Sequence, residues 1–218
     1  MRILCIPDIH GRDFWIEPCQ KWEGPIVFLG DYHDPYPFQV SKDKSLQNLE
    51  KLVDFVIANK SRCTCLEGNH DYPYLTYANN GCRFDKVHAN LVRERLVYLD
   101  LHLTLIKDDV IFSHAGVTPA WCDSSRYSLN QLLNNKIPIR DSELERVSWY
   151  RGGEDKYGSP LWCDVSEYAN LSHFEGFYQV FGHSQQEKNP IINEDFACLD
   201  CRKCFIVDTE TKEIIPYE

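Results

Sequence analysis

The sequence predicts an α/β (α+β) fold with a polar site at the carboxyl ends of its strands. Three observations carry that prediction. The first 67 residues alternate strand, helix, strand, helix, strand, which is the pattern of a parallel sheet with crossover helices. Five apolar runs each end in Asp, Asn or His, most beside a glycine: Asp8-Ile9-His10-Gly11, Gly30-Asp31, Gly68-Asn69-His70-Asp71, Ser113-His114-Ala115-Gly116 and Gly182-His183. Open α/β sheets keep their ligands at strand carboxyl ends, and the strand ends of one sheet converge, so five loops are expected to form one site. Finally, the period shortens after Leu96 into short strands, which adds an antiparallel part to the sheet.

Taken in order, residues 2–7 are a buried strand. Residues 12–22 read as a helix that Pro18 interrupts or shortens. Gly24-Pro25 is a turn, and residues 26–29 form the central strand. Asp34-Pro35-Tyr36-Pro37 is a rigid irregular loop. Residues 45–59 are the clearest helix, with Leu46, Leu49, Val53, Val56 and Ile57 on one stripe. A strand over 63–67 follows, then partly helical stretches over 72–80 and 87–95. Short strands are expected over 97–99, 101–106 and 110–112, with a turn at Asp108-Asp109. Residues 128–145 read as short helices broken at Pro138, 165–171 as a helix, and 178–181 as a strand. Residues 196–217 read as two or three antiparallel strands. No repeat or linker divides the chain, so 1–218 is expected to be a single domain.

Composition narrows the function. Hydrophobic content of 43% and charged content of 26% are those of an ordinary soluble globular protein. The formal net charge of -10 argues against broad nucleic-acid binding, which needs a cationic footprint. No signal peptide fits the amino terminus, and no run approaches the roughly 20 apolar residues of a membrane span. The expected location is cytoplasmic, with no membrane partner. There are ten cysteines. The densest cluster, Cys198, Cys201 and Cys204, has no second pair nearby in sequence to complete a four-ligand zinc site. It reads as reduced thiols packed as small hydrophobes.

The polar residues at the strand ends carry metal chemistry. Asp8 and His10 are two apart and share a face of an extended strand end. Asp31 adds a carboxylate whose two oxygens can bridge two ions. Asn69, His114 and His183 supply an amide oxygen and two imidazoles. Nitrogen and oxygen donors without thiolate suit manganese, iron or zinc better than magnesium or calcium. Two such ions about 3.5–4 Å apart polarise a phosphoryl group and activate water. His33 reads as a loop filler, and His88, His102 and His173 as ordinary histidines.

Together these motifs, with Asp31-Tyr32-His33-Asp34 completing the second, resemble the signature of calcineurin-like metallophosphoesterases. The nearest branch is similar to the phosphoprotein phosphatases and their small bacterial and phage relatives, which include symmetrical dinucleoside-tetraphosphate hydrolases. The match runs in the family's order over residues 5 to about 210, through Leu199-Asp200. The resemblance implies a central β-sandwich flanked by helices, with the site at one end. It assigns Asp8, His10 and Asp31 to one divalent metal and Asp31, Asn69, His114 and His183 to a second, with manganese first and iron or zinc as alternatives. It makes metal-bound hydroxide the nucleophile and His70 the general acid, oriented by Asp34. The expected substrate is a phosphate ester, a phosphoprotein or a nucleotide, and the expected activity that of a serine/threonine-type phosphomonoesterase. The rivals are a hydrolase of dinucleoside polyphosphates or cyclic nucleotides, and a catalytically silent metal-binding protein.

One departure from the family stands out. The family has a phosphate-binding arginine after the central motif, where this chain has Pro35-Tyr36. Arg151 matches the family's second phosphate arginine, while an alternative alignment on Leu161-Trp162 puts Cys163 there. Arg151 is the predicted clamp, and Arg12 and Arg83 are the next cations to consider.

Overall fold

In β1 (Arg2–Ile6) the side chains alternate. Ile3 and Cys5 face one way, Leu4 and Ile6 the other, and all four are fully buried. β2 (Ile26–Phe28) repeats this, with Val27 on the first side and Ile26 and Phe28 on the second. A strand covered on both faces has no polar alternation, which explains its continuous apolar reading.

The computed structural model describes residues 1–134, 137 and 140–217. It has two five-stranded sheets. The first has the order β10-β9-β1-β2-β3, with β3 over Cys63–Cys65, β9 over Phe205–Asp208 and β10 over Ile214–Pro216. β1, β2 and β3 run parallel, and β9 and β10 close the other edge antiparallel. The second has the order β4-β5-β6-β8-β7. Its strands are β4 (Thr104–Lys107), β5 (Val110–Ser113), β6 (Tyr178–Phe181), β7 (Ile191–Ile192) and β8 (Phe196–Cys198). β5, β6 and β8 are parallel, while β4 and β7 are antiparallel to their neighbours.

Ile3, Cys5, Val27 and Leu29 pack with Val110, Phe112, Val180, Ala197 and Leu199 to form the layer between the sheets. On the outer face of the first sheet lie α1 (Ile16–Lys21) and α2 (Lys42–Ala58), which cover Leu4, Ile6, Ile26 and Phe28 with Trp15, Cys19, Leu49, Leu52, Val53 and Val56. Ser41 caps α2 by accepting from Lys44 N at 3.2 Å. Beyond the second sheet, Tyr168 of α7 (Val165–Ala169) packs on Ala115, Phe181 and Phe196. Two sheets flanked by helices make the expected β-sandwich.

Several elements differ from the sequence reading. The five functional strand ends come from two sheets: three from the first and two from the second. Residues 97–99 are not a strand, because Val97 ends helix α4 (Ala89–Val97). The helix expected over 12–22 is confined to α1, where Pro18 sits in the first turn and sacrifices no helical hydrogen bond. On α2, Ile57 points to solvent and Leu52 takes its place on the buried stripe. The strands over 196–217 divide, with β8 in the second sheet and the β9–β10 hairpin in the first. Between 128 and 145 stand helix α6 (Leu129–Leu133) and a 3-10 turn over Ser142–Glu145, and the break expected at Pro138 lies outside the described residues. Among the described residues, no helix is long and apolar enough to cross a membrane.

Candidate metal centre

The loops after β1, β2, β3, β5 and β6 meet at one end of the sandwich. Backbone contacts lock them together. Ile9 and His10 donate their N–H groups to Asp31 O at 3.1 and 2.7 Å. The His183 N–H donates to Asp8 Oδ1 at 2.9 Å, and the His70 N–H to Asp31 Oδ1 at 2.9 Å. Asp71 ties the second loop to the third, accepting from Asp31 N and Gly68 N at 2.9 Å each and from Tyr32 N at 3.2 Å. The sequence reading left Asp71 without a role, although it completes the Gly68-Asn69-His70-Asp71 motif.

Two glycines explain their place in the motifs. A Cβ on Gly68 would lie 2.2 Å from Asp31 Oδ1, and one on Gly182 would lie 2.2 Å from Asp8 Oδ1. A side chain at either position would push a carboxylate out of the site. Four non-glycine residues named from the sequence sit in the left-handed region: His10 (φ 45), Asp31 (φ 56), Asp34 (φ 53) and His183 (φ 62). Such strain costs on the order of 1–3 kcal/mol per residue and persists only where the surroundings over-determine it.

All six residues assigned to metals on resemblance are brought together. Asp31 lies between two imidazoles, with His10 Nε2 3.4 Å from Oδ2 and His114 Nε2 3.7 Å from Oδ1. Asp31 belongs both to a group with His10 and His70 and to a group with Asp8 and His114, each with its ligand atoms within 4.8 Å of one another. Asn69 Oδ1 is 2.9 Å from both His114 Nε2 and His183 Nδ1.

The donor set fits cations. His114 Nδ1 is 2.8 Å from Leu29 O, and a carbonyl only accepts, so Nδ1 carries the proton and Nε2 presents a lone pair. That lone pair faces Asn69 Oδ1 and Asp31 Oδ1. His10 Nδ1 likewise donates to His33 O at 3.1 Å, which turns its Nε2 lone pair toward Asp31 and Asp8. Lone pairs crowded together this way need a positive charge among them. Burial pushes His10 and His183 well below the usual histidine range, so they are neutral. Burial, reinforced by the charge of Asp31, raises Asp8. Asp31 is held well below the carboxylate range despite its burial, with the His70 N–H donating to its Oδ1. Buried carboxylates and neutral imidazoles without thiolate form a cage for divalent ions.

Beyond the cage, His70 Nδ1 is 3.1 Å from Asp34 Oδ2. Tyr74 donates its hydroxyl to the other oxygen of Asp34 and accepts from Asp85 N at 2.8 Å. Arg151 stands at the far rim, where Nη2 donates to His183 O at 2.9 Å and Nε lies 3.6 Å from Asp164. Cys163, the alternative position for an arginine, is buried and offers no cation. Arg83 approaches from the opposite side. Its Nη2 is 3.1 Å from His70 Nε2 and 3.4 Å from His10 Nε2, and its Nε donates to Asp34 O at 3.1 Å. The guanidinium lies 3.9 Å from the ring centre of Tyr36. Thus the Pro35-Tyr36 pair that replaces the expected arginine forms a seat for an arginine from another loop. His33 is more than a filler: fully buried, it contacts Ser45 Oγ at 2.7 Å and Asp85 Oδ2 at 3.2 Å, which fixes the carbonyl that orients His10. His88 and His173 serve locally, on Asp85 and Tyr168. The cysteine cluster is buried, and among the described residues no cysteine belongs to a metal-competent group.

The sequence profile of the calcineurin-like phosphoesterase family matches residues 1–191, so the chain belongs to that family and is a metal-dependent phosphoesterase. Solved structures share its fold at low identity. A cold-active protein-tyrosine phosphatase of a psychrophilic Shewanella species aligns with a TM-score of 0.61 at 14% identity, covering 100% of this chain and 80% of that one. A protein serine/threonine phosphatase of Saccharomyces cerevisiae aligns at 0.58 and 13%, covering 100% and 79%. A metallophosphoesterase of Sphaerobacter thermophilus aligns at 0.52 and 14%, covering 100% and 87%. No curated protein matches the sequence.

Proposed function

We propose that this chain is a phosphomonoesterase of the serine/threonine protein phosphatase type, working with two divalent metal ions, manganese first among them. The reading rests on one arrangement: Asp31 stands between His10 and His114, while His70, held on Asp34, stands beside them outside the cage. Asp8, His10 and Asp31 would hold one ion, and Asp31, Asn69, His114 and His183 the other. When bound, the pair supplies Lewis-acid charge and an activated water.

The remaining work falls to the chain's own groups. Asp34 accepts from His70 Nδ1 and fixes the ring with Nε2 toward the centre; Nε2 accepts from Arg83 Nη2 in this structure, so to act as the acid it must release that contact and take up a proton. That proton goes to the departing alkoxide. Tyr74 keeps Asp34 in place. Arg83 and Arg151 flank the centre and grip phosphoryl oxygens through charge-assisted bonds. The β9–β10 hairpin follows the end of the family match and pairs with β1, which supports reading 1–218 as one catalytic domain.

Turnover of phenyl phosphate with added manganese tests the reading. Activity is expected to vanish with a chelator and return with the metal. A protein that binds metal but turns over no ester is a binding protein instead. Comparing a phosphopeptide with a dinucleoside tetraphosphate then separates the phosphatase from the nucleotide hydrolase.

A further inference from the structure

Arg83, which touches His70, and Tyr36, whose ring meets that of His10, form one wall of a cavity of about 590 Å³ beside the centre. Arg83 belongs to both: it touches His70 Nε2 and lines the cavity. Lys42 and Lys86 line it as well, and no carboxylate does. That is a marked local excess of positive charge on a chain with a formal net charge of -10. Lys42 Nζ is 3.5 Å from Asp85, but the same carboxylate is fully buried and also holds His33 and His88. Lys86 is exposed and has no ion pair among the described residues. Tyr36 and Phe84 add aromatic surface. The amino-terminal end of α2 faces the same space through Ser41 and Lys42, which adds the positive end of a helix dipole.

A general acid stands beside the oxygen that leaves. A leaving group that departs past His70 and Arg83 enters this cavity. We propose that the cavity is the leaving-group subsite and takes a leaving group that carries a second phosphate. Tyr36 and Phe84 would contact its organic part, and Lys86 and Lys42 the second phosphate. The inference rests on the phosphatase reading, since His70 as the acid fixes the direction of departure.

Hydroquinone bisphosphate and phenyl phosphate differ in this second phosphate, and the readout is the ratio of their kcat/KM values within each variant. Wild type is expected to favour the bisphosphate by at least about tenfold, the worth of a contact to a charged group. Lys86→Glu should bring the ratio down to the statistical gain of having two phosphates. Lys51→Glu makes the same charge change at an exposed position on α2, away from the cavity, and should keep the wild-type ratio. No preference in wild type, or an equal collapse in both variants, overturns the subsite. If neither ester is hydrolysed, the phosphatase reading fails separately. The subsite is then judged by calorimetry, as the affinity for methylenediphosphonate over methylphosphonate. A ratio that Lys86→Glu lowers and Lys51→Glu does not supports the subsite, and any other pattern overturns it.

Discussion

The cage and its rim are built in different ways. Every cage residue lies in the loop just after a strand, and Asp8, His10, Asp31, Asn69 and His114 are buried, with His183 half-buried. Their positions are set by backbone hydrogen bonds between loops and by glycines that leave room for carboxylates. The rim is assembled from distant segments. His70 meets Asp34 across 36 residues of chain, Arg83 meets His10 across 73, and Arg151 reaches His183 across 32. Tertiary packing assembles both, the His183–Asp8 contact spanning 175 residues; the difference is that each cage residue stands in a short motif at a strand end, whereas Arg83 and Arg151 of the rim stand outside those motifs. Damage to the cage should abolish the reaction, and damage to the rim should change its rate and preference.

The largest effect is expected from Asp31→Asn. Asp31 stands between both imidazole sides of the cage, and the proposed ions supply several kcal/mol of transition-state stabilisation. At 1.36 kcal/mol per tenfold, activity should fall by about a thousandfold or more, and bound metal per chain, measured by elemental analysis, should fall with it. Normal turnover with two bound metals would erase the distinction between cage and rim.

His70→Asn should come next and should depend on the substrate. A general acid contributes about 10²–10⁴-fold, and an activated phenolate needs less help to leave. The loss should be large for alkyl phosphates and small for nitrophenyl phosphate, with metal content unchanged. Equal losses on the two esters would count against His70 as the acid.

This difference also decides what could be read from the sequence. The proposed ligands could be picked out because an apolar run that ends in Asp, Asn or His, most often beside a glycine, marks a strand and a polar residue at its end. The β1–α1–β2–α2–β3 order was legible from periodicity. The division into two sheets was not, because Phe196–Cys198 and Phe205–Asp208 look alike as apolar runs and differ only in partner. Residues 97–99 misled because they read as a short apolar run, whereas Val97 and Tyr98 are exposed at the end of α4 and only Leu99 packs into the core. Arg83 could be named only as one cation among several. It lies in an irregular loop after Gly81, and its partners Tyr36, Asp34 and His10 are all distant in sequence.

The two arginines sharpen the comparison within the rim. Arg83 sits against His70 and His10, whereas Arg151 is tied to a backbone carbonyl and lies near Asp164. A contact to a charged group is worth about 1.5–3 kcal/mol, a change of about tenfold to a hundredfold. Arg83→Ala should lower kcat/KM on phenyl phosphate toward the upper end of that range and Arg151→Ala by about tenfold. The reverse order would make Arg151 the principal clamp.

The smallest effect is expected at the cysteines, which belong to neither region. Cys198 ends β8, Cys201 and Cys204 lie on the connection to β9, and all three are buried among apolar neighbours. Burial pushes the Cys204 thiol up to about 12 and raises Cys198 and Cys201 as well, so without a metal they remain thiols at neutral pH. Replacing Cys201 and Cys204 with Ala removes two small packed groups, so stability should fall by roughly 1 kcal/mol per site. Bound metal and kcat/KM should stay at wild-type values. Cys82 is the exposed thiol, one residue from Arg83, and its alkylation by iodoacetamide should outpace that of the buried set. A labelled Cys82 places a bulky group beside the rim, so it should slow the bisphosphate ester while leaving the metal content intact. Loss of metal on replacing Cys201 or Cys204 in a folded protein would instead assign that cluster a metal of its own.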